Sequence, residues 1–187
     1  FKKLKRKKFS TILTREPGGT PGAERIRKLI LDDYFQKNFN EKYNKYTDTL
    51  LYLAARNEHI ENKIKPSLSK KKIVICDRFT DSTFAYQVYG KNVDRILIES
   101  IHKSILKGIK PDITFILKVN ISKAMSRLSK RKKKNRYDKF SKNFYAKVQN
   151  GFLKIAKTNK KRYVVLDNSK DNPEVEKIIY NKIIKIL

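Results

Sequence analysis

Ser10-Thr11-Ile12-Leu13-Thr14-Arg15-Glu16-Pro17-Gly18-Gly19-Thr20-Pro21-Gly22 holds a strand, a loop and the start of a helix. Residues 10–14 read as a short buried strand. Pro17 and the paired glycines cannot continue it, so a loop follows. Thr20 then reads as an N-cap and Pro21 as the first helical residue. The helix carries an apolar stripe at Ile26, Leu29 and Ile30. Further along, Ile73-Val74-Ile75-Cys76 is a continuous apolar run after a lysine cluster. Such a run suits a strand buried on both faces of a parallel sheet. Strands are also expected at 113–119 and 163–166. Helices are expected from about Tyr46 to Lys65, ending at Pro66, and from Val93 to Leu106, capped near Gly108. Others start near Ser122, span about Asp138 to Lys157, and run from Pro173 to Leu187. This alternation predicts an α/β fold with a doubly wound parallel sheet. Ligands of such sheets sit at the carboxyl ends of strands, where loop 15–20 and Asp77-Arg78 lie.

The 187 residues fit one domain, and 39% hydrophobic with 34% charged reads as globular. No apolar run approaches the roughly 18 residues of a membrane span. The basic opening Phe1 to Lys8 is not followed by the apolar stretch of a secretory leader. A lone cysteine, Cys76, excludes an internal disulfide framework and suits a reducing cytoplasm. With His59 and His102 as the two histidines, a zinc site is not expected, and all three residues are read as structural. The net charge of +28 could mean a nucleic-acid or membrane partner. However, 35 Lys, 21 Ile and 14 Asn against seven Ala point to A/T-rich coding, so the charge is read as compositional bias. The 11 arginines then become informative, because a rigid guanidinium fork suits phosphate.

Four stretches could carry chemistry. The loop Arg15 to Gly19 exposes backbone N–H groups beside a helix N-terminus, which favours anions. It could equally be an ordinary strand-to-helix turn. Tyr52 and Arg56 share one helix face at i, i+4 spacing. They could stack on and hydrogen-bond a planar base, or be a core tyrosine and a surface arginine. Asp77-Arg78 at a strand end could order Mg²⁺ and bridge phosphoryl groups, or be an N-cap and a surface arginine. Arg127 to Asp138 is a basic run between helices, readable as a solvated face, a nucleic-acid patch or a mobile lid.

Together these stretches resemble the bacterial thymidylate kinases, from about residue 10 to 187. Arg15-Glu16-Pro17-Gly18-Gly19-Thr20 is similar to that family's signature, and Arg27 stands where it places an arginine on the following helix. The family also has an aromatic, usually Phe, four residues before an arginine, as Tyr52 and Arg56 are here. Asp77-Arg78-Phe79 resembles its Asp-Arg-Tyr/His motif, followed here by Thr83 and Ala85-Tyr86-Gln87. The resemblance implies a P-loop nucleoside monophosphate kinase fold in one domain, residues 1–187, with a lid at 127–138. It implies transfer of phosphate from ATP to dTMP with Mg²⁺. Asp77 would order the metal through water, and Arg78, Arg131 and Arg136 would serve catalysis. Glu16, Arg27, Tyr52, Arg56, Arg78, Thr83, Tyr86 and Gln87 would bind dTMP, with Tyr86 crowding a 2′-hydroxyl. Arg127, Arg131 and Arg136 would close on ATP, and loop Asp167 to Pro173 would touch adenine. The family implies a homodimer, while composition points to the cytoplasm with neither membrane nor nucleic acid as partner. The rivals are another monophosphate kinase with a different base, or a basic nucleic-acid-binding protein derived from the fold.

One expected part is absent. The family begins with a strand and a Gly-x-x-x-x-Gly-Lys loop about twenty residues before the Thr-Arg-Glu-Pro string. No such motif occurs in the 187 residues. The resemblance therefore implies that the first strand and phosphate loop are missing, that they lie upstream of Phe1, and that residues 1–187 alone would be inactive.

Overall fold

The structure, a computed structural model, describes residues 1–32, 34–132, 135–170 and 173–187. They form two compact units, Phe1–Ile109 and Lys110–Leu187.

In the first unit a short basic helix, α1 (Lys2–Arg6), leads into strand β1 (Thr11–Arg15). Leu4 is its buried anchor. Helix α2 (Pro21–Leu31) opens as expected, with the Thr20 hydroxyl accepting from the Ala23 N–H and proline in the first turn. Its buried residues are Ala23 and Ile30; Leu29, expected in the stripe, is exposed. Helix α3 (Tyr34–Phe39), not expected from the sequence, follows. Helix α4 (Lys45–His59) continues through a π-helical turn, Ile60–Ile64, into α5 (Lys65–Ser69). The chain therefore stays helical past Pro66. That proline falls in the first turn of α5, where a missing N–H costs nothing. Strand β2 (Ile73–Asp77) comes next, then α6 (Thr80–Thr83), a π-helical stretch Phe84–Gly90, and α7 (Arg95–Leu106).

β1 and β2 pair in parallel, from Thr11 opposite Ile73 to Arg15 opposite Asp77. The Glu16 N–H extends the ladder onto the Asp77 carbonyl at 2.9 Å. β2 is half-buried rather than buried on both faces, because among the described residues β1 is its one strand neighbour. The core lies between α4 and α7. Leu53, Val93 and Ile98 are buried there, with Phe84, Val88, Ile101 and Ile105 packed around them.

In the second unit β3 (Thr114–Lys118) pairs in parallel with β4 (Tyr163–Asp167). Helix α8 (Ile121–Ser129), a 3₁₀ turn at Arg136–Lys139, α9 (Lys142–Thr158) and α10 (Pro173–Ile184) complete it. α9 starts four residues later than expected, because the Ser141 hydroxyl caps it through the Phe144 N–H. All described strands are parallel and alternate with helices, as expected, but they form two pairs rather than one continuous ladder.

Gly18 and Gly19 both take left-handed φ, +126° and +93°. A Cβ on Gly19 would sit 2.5 Å from the Thr14 hydroxyl and 2.6 Å from the His59 ring. Gly19→Ala should therefore cost at least about 2 kcal/mol, from left-handed backbone plus overpacking. Urea unfolding measures this; an unshifted midpoint would contradict it.

Candidate functional site

Arg56 is 2% exposed, so the surface-arginine reading fails. Its counter-ion is Glu16, which leaves β1 pointing at α4. The Arg56 Nε–H and Nη2 lie 2.8 and 2.7 Å from Glu16 Oε2. Glu16 Oε1 faces His59 Nδ1 at 3.1 Å. A carboxylate only accepts, so that nitrogen carries the proton. His59 Nε2 meets the Thr14 hydroxyl at 2.6 Å, which fastens α4 to β1. On the other side, Arg56 Nη1 donates to the Thr83 hydroxyl at 2.8 Å and faces His102 Nε2 at 2.6 Å. The Phe79 ring lies 5.3 Å from the guanidinium. Glu16, an expected substrate contact, thus has both oxygens engaged inside the protein. Burial, then the Arg56 charge, pushes the His102 pKa down to about 3. The ring is neutral at pH 7 and can accept from Arg56.

Thr83 and Gln87, expected to line the pocket, are each 1% exposed. Gln87 sits in the π-helical stretch, its carbonyl accepting from the Val93 N–H at 2.9 Å. Lys91 at the end of that stretch reaches the buried Asp48 carboxylate of α4 at 2.5 Å. These contacts hold residues 83–91 against the helix that carries Tyr52 and Arg56.

A second group of cations gathers at the carboxyl ends of β1 and β2. Arg15 is paired with Glu24 at 3.2 Å, and Glu24 Oε1 accepts from the Gly19 N–H at 3.0 Å. Against a burial penalty, Gly19 and Arg15 hold the Glu24 carboxyl below its ordinary pKa. Arg27 is half-buried and donates from Nη1 to the Pro17 carbonyl at 2.8 Å. Burial first, then the like charges of Arg15 and Arg78, draw its pKa below the ordinary value. Arg78 has a left-handed φ of +65°, a strained conformation for a non-glycine residue. The Cys76 thiol donates to the Arg78 carbonyl at 3.0 Å. The Arg78 guanidinium lies over the Tyr86 ring, 5.1 Å from its centroid. Half-buried Tyr52 is within electrostatic reach of both Arg27 and Arg78. Arg27 and Arg78 therefore adjoin an aromatic face, one helical turn from the buried Arg56, with Arg15 next to Arg27. That arrangement can hold a phosphate at one end and a planar ring at the other.

Asp77 is exposed beside this group. Among the described residues no cluster of three His, Cys, Asp or Glu could hold a metal. Mg²⁺ does not need one, since it keeps several waters and takes one or two carboxylates plus substrate phosphates. Asp77 fits that role; Glu16 does not.

The stretch read as a lid, 127–138, falls in the second unit. Asn135 caps the 3₁₀ turn reciprocally with Asp138. Arg131 Nη1 donates to Asp138 Oδ1 at 3.0 Å with its side chain largely exposed. The Arg136 guanidinium lies 5.2 Å from the Tyr137 centroid. Arg127 sits in the last turn of α8. Lys133 and Lys134 of this run, and Asp171 and Asn172 of the expected adenine loop, lie outside the described residues. No described helix is long and apolar enough to cross a membrane.

Thr14, His59 and His102 also join the network around Arg56. His59 had a signal: it follows Tyr52 and Arg56 at i+7 and i+3, on the same helix face. His102 had none, because its contact with Arg56 spans 46 residues.

The thymidylate kinase family model matches residues 1–179. The chain is 41% identical over 186 residues to the thymidylate kinase of Mycoplasma capricolum, covering 98% of this chain and 83% of that one. It is 41% identical over 180 residues to that of Ehrlichia ruminantium, covering 95% and 83%. The crystal structure of the thymidylate kinase from Ehrlichia chaffeensis superposes with a TM-score of 0.68 at 35% identity, covering 95% of this chain and 80% of that one.

Proposed function

The chain belongs to the thymidylate kinase family, and we propose that the Arg56 and Arg78 groups together form its dTMP site. The reaction is ATP-dependent phosphorylation of dTMP to dTDP. The observation that supports this assignment is the convergence of Arg27 and Arg78 beside Tyr52, next to the buried Arg56.

Tyr52 stacks on the thymine, and Arg56 donates to a carbonyl on its edge. Thr83 and Gln87 close the base pocket, and Glu16 acts through Arg56. Tyr86 lies under the sugar and crowds a 2′-hydroxyl. Arg27 and Arg78 hold the acceptor phosphate, so that its oxygen meets the donor in line. Catalysis is then positioning plus charge neutralisation, with no covalent intermediate. Asp77 would help hold Mg²⁺, which neutralises charge on the donor phosphates. Arg127, Arg131 and Arg136 belong to a lid at 127–138 that excludes water and brings positive charge to the donor. Residues 1–187 work as one domain within a cytoplasmic homodimer, with ATP as donor.

Calorimetric titration tests the site. dTMP should bind more tightly than dCMP or AMP, and Arg56→Ala should weaken dTMP by about 1–3 kcal/mol, the range for hydrogen bonds involving a charged group. Unchanged dTMP affinity in that variant would remove Arg56 from the pocket.

A further inference from the structure

We propose that His102 is a positioning residue for base selection, a neutral hydrogen-bond acceptor that locks the Arg56 guanidinium in its base-reading orientation. This rests on the reading of Arg56 given above.

Arg56 is held unevenly by its counter-ion. Both of its contacts with Glu16 converge on a single oxygen, Oε2. A guanidinium gripped at one atom can swivel about it; a fork on two oxygens cannot. The far edge, Nη1, needs a second anchor. Thr83 supplies a hydroxyl, which is itself a rotor. His102 supplies a rigid ring at 2.6 Å. Four of the guanidinium's five N–H donors are thereby directed at protein partners. Among the described residues the fifth, on Nη2, is left for a ligand. Where it points depends on the tilt that His102 sets.

The ring is itself well held. Its edge packs against Phe84, with centroids 5.4 Å apart and planes at 68°. Ile98 and Ile101, on the same helix, pack with Leu53 of α4, three residues before Arg56. The hydrophobic core that docks α7 on α4 thus sets the His102-to-Arg56 distance. The ring's protonation is fixed by chemistry. Arg56 only donates, so Nε2 must offer a lone pair and the proton sits on Nδ1. That Nδ1 is buried and has no hydrogen-bond partner among the described residues. An orphaned buried donor is costly, so the site gives up stability to keep a neutral acceptor facing Arg56. A core-filling residue would be cheaper as leucine.

The test uses the whole chain, with His102→Leu, which removes the acceptor, and His102→Gln, which can restore it. Calorimetry gives dTMP and dCMP affinities, alongside unliganded melting temperatures. His102→Leu should lower dTMP affinity about tenfold and leave dCMP affinity unchanged. His102→Gln should recover most of the loss, and His102→Leu should add nothing in an Arg56→Ala background. Should His102→Leu fail to fold, His102→Asn, which retracts the acceptor, takes its place. An unchanged dTMP preference, an equal loss for both nucleotides, or an effect that persists without Arg56 would each overturn the proposal. If Arg56→Ala shifts the preference and His102→Leu does not, this inference alone falls. If Arg56→Ala does not, the assignment of the base pocket falls with it.

Discussion

Replacing Arg78 with alanine should weaken dTMP binding by about two to three orders of magnitude while leaving the melting temperature nearly unchanged. A guanidinium on a phosphate makes paired, charge-assisted hydrogen bonds; at an exposed site each is worth about 1.5–2 kcal/mol, the low end of the range for charged groups, and a pair lost gives about 3–4 kcal/mol. Little stability should go with it, because Arg78 lies at the surface, where its ring contact and hydrogen bond with Tyr86 and its attraction to Asp77 are screened by water. The strained left-handed backbone stays with any residue placed there, so it cancels in the comparison. Arg78→Lys keeps the charge and loses the fork, and should fall between the two. Calorimetry and thermal melts check this directly. Matched losses of affinity and melting temperature would make Arg78 a structural residue.

The second large effect is on stability. Glu16→Ala should destabilise the protein by about 3–5 kcal/mol, the cost of leaving a buried charge without its partner. Among the described residues Glu16 is the acid that pairs with Arg56, and His59 loses an acceptor as well. The double variant Glu16→Leu with Arg56→Met should recover much of that loss, because apolar packing can replace a buried ion pair. It should not recover dTMP binding. Recovery of both would mean the pair is scaffolding and not part of the base pocket. Equilibrium urea unfolding of the three proteins makes the comparison.

What could be read in advance followed the reach of the interactions. β1, the Glu-Pro-Gly-Gly loop and the start of α2 are set by neighbours in sequence: Pro17, two glycines, and Thr20 over Ala23. They were legible for that reason. The helix through Pro66 was not. A π-helical turn at Ile60–Ile64 resets the phase and lets proline begin a new segment, and no residue pattern announces such a turn. The apolar run at Ile73–Cys76 suggested burial on both faces, but burial depends on what else packs there. Within the site, Tyr52 and Arg56 were legible as one helix face. The surroundings of Arg56 were not, because Glu16, Thr83 and His102 reach it across 40, 27 and 46 residues. The family string marks Glu16 as a ligand contact, and its partners Arg56 and His59 lie 40 and 43 residues along the chain.

A crystal structure of this chain with dTMP bound tests the central claim most directly. The account predicts thymine against the Tyr52 ring with a carbonyl within hydrogen-bond distance of Arg56 Nη2, and the phosphate between Arg27 and Arg78. A nucleotide whose phosphate lies away from both arginines, or whose base does not meet Tyr52 and Arg56, would contradict it.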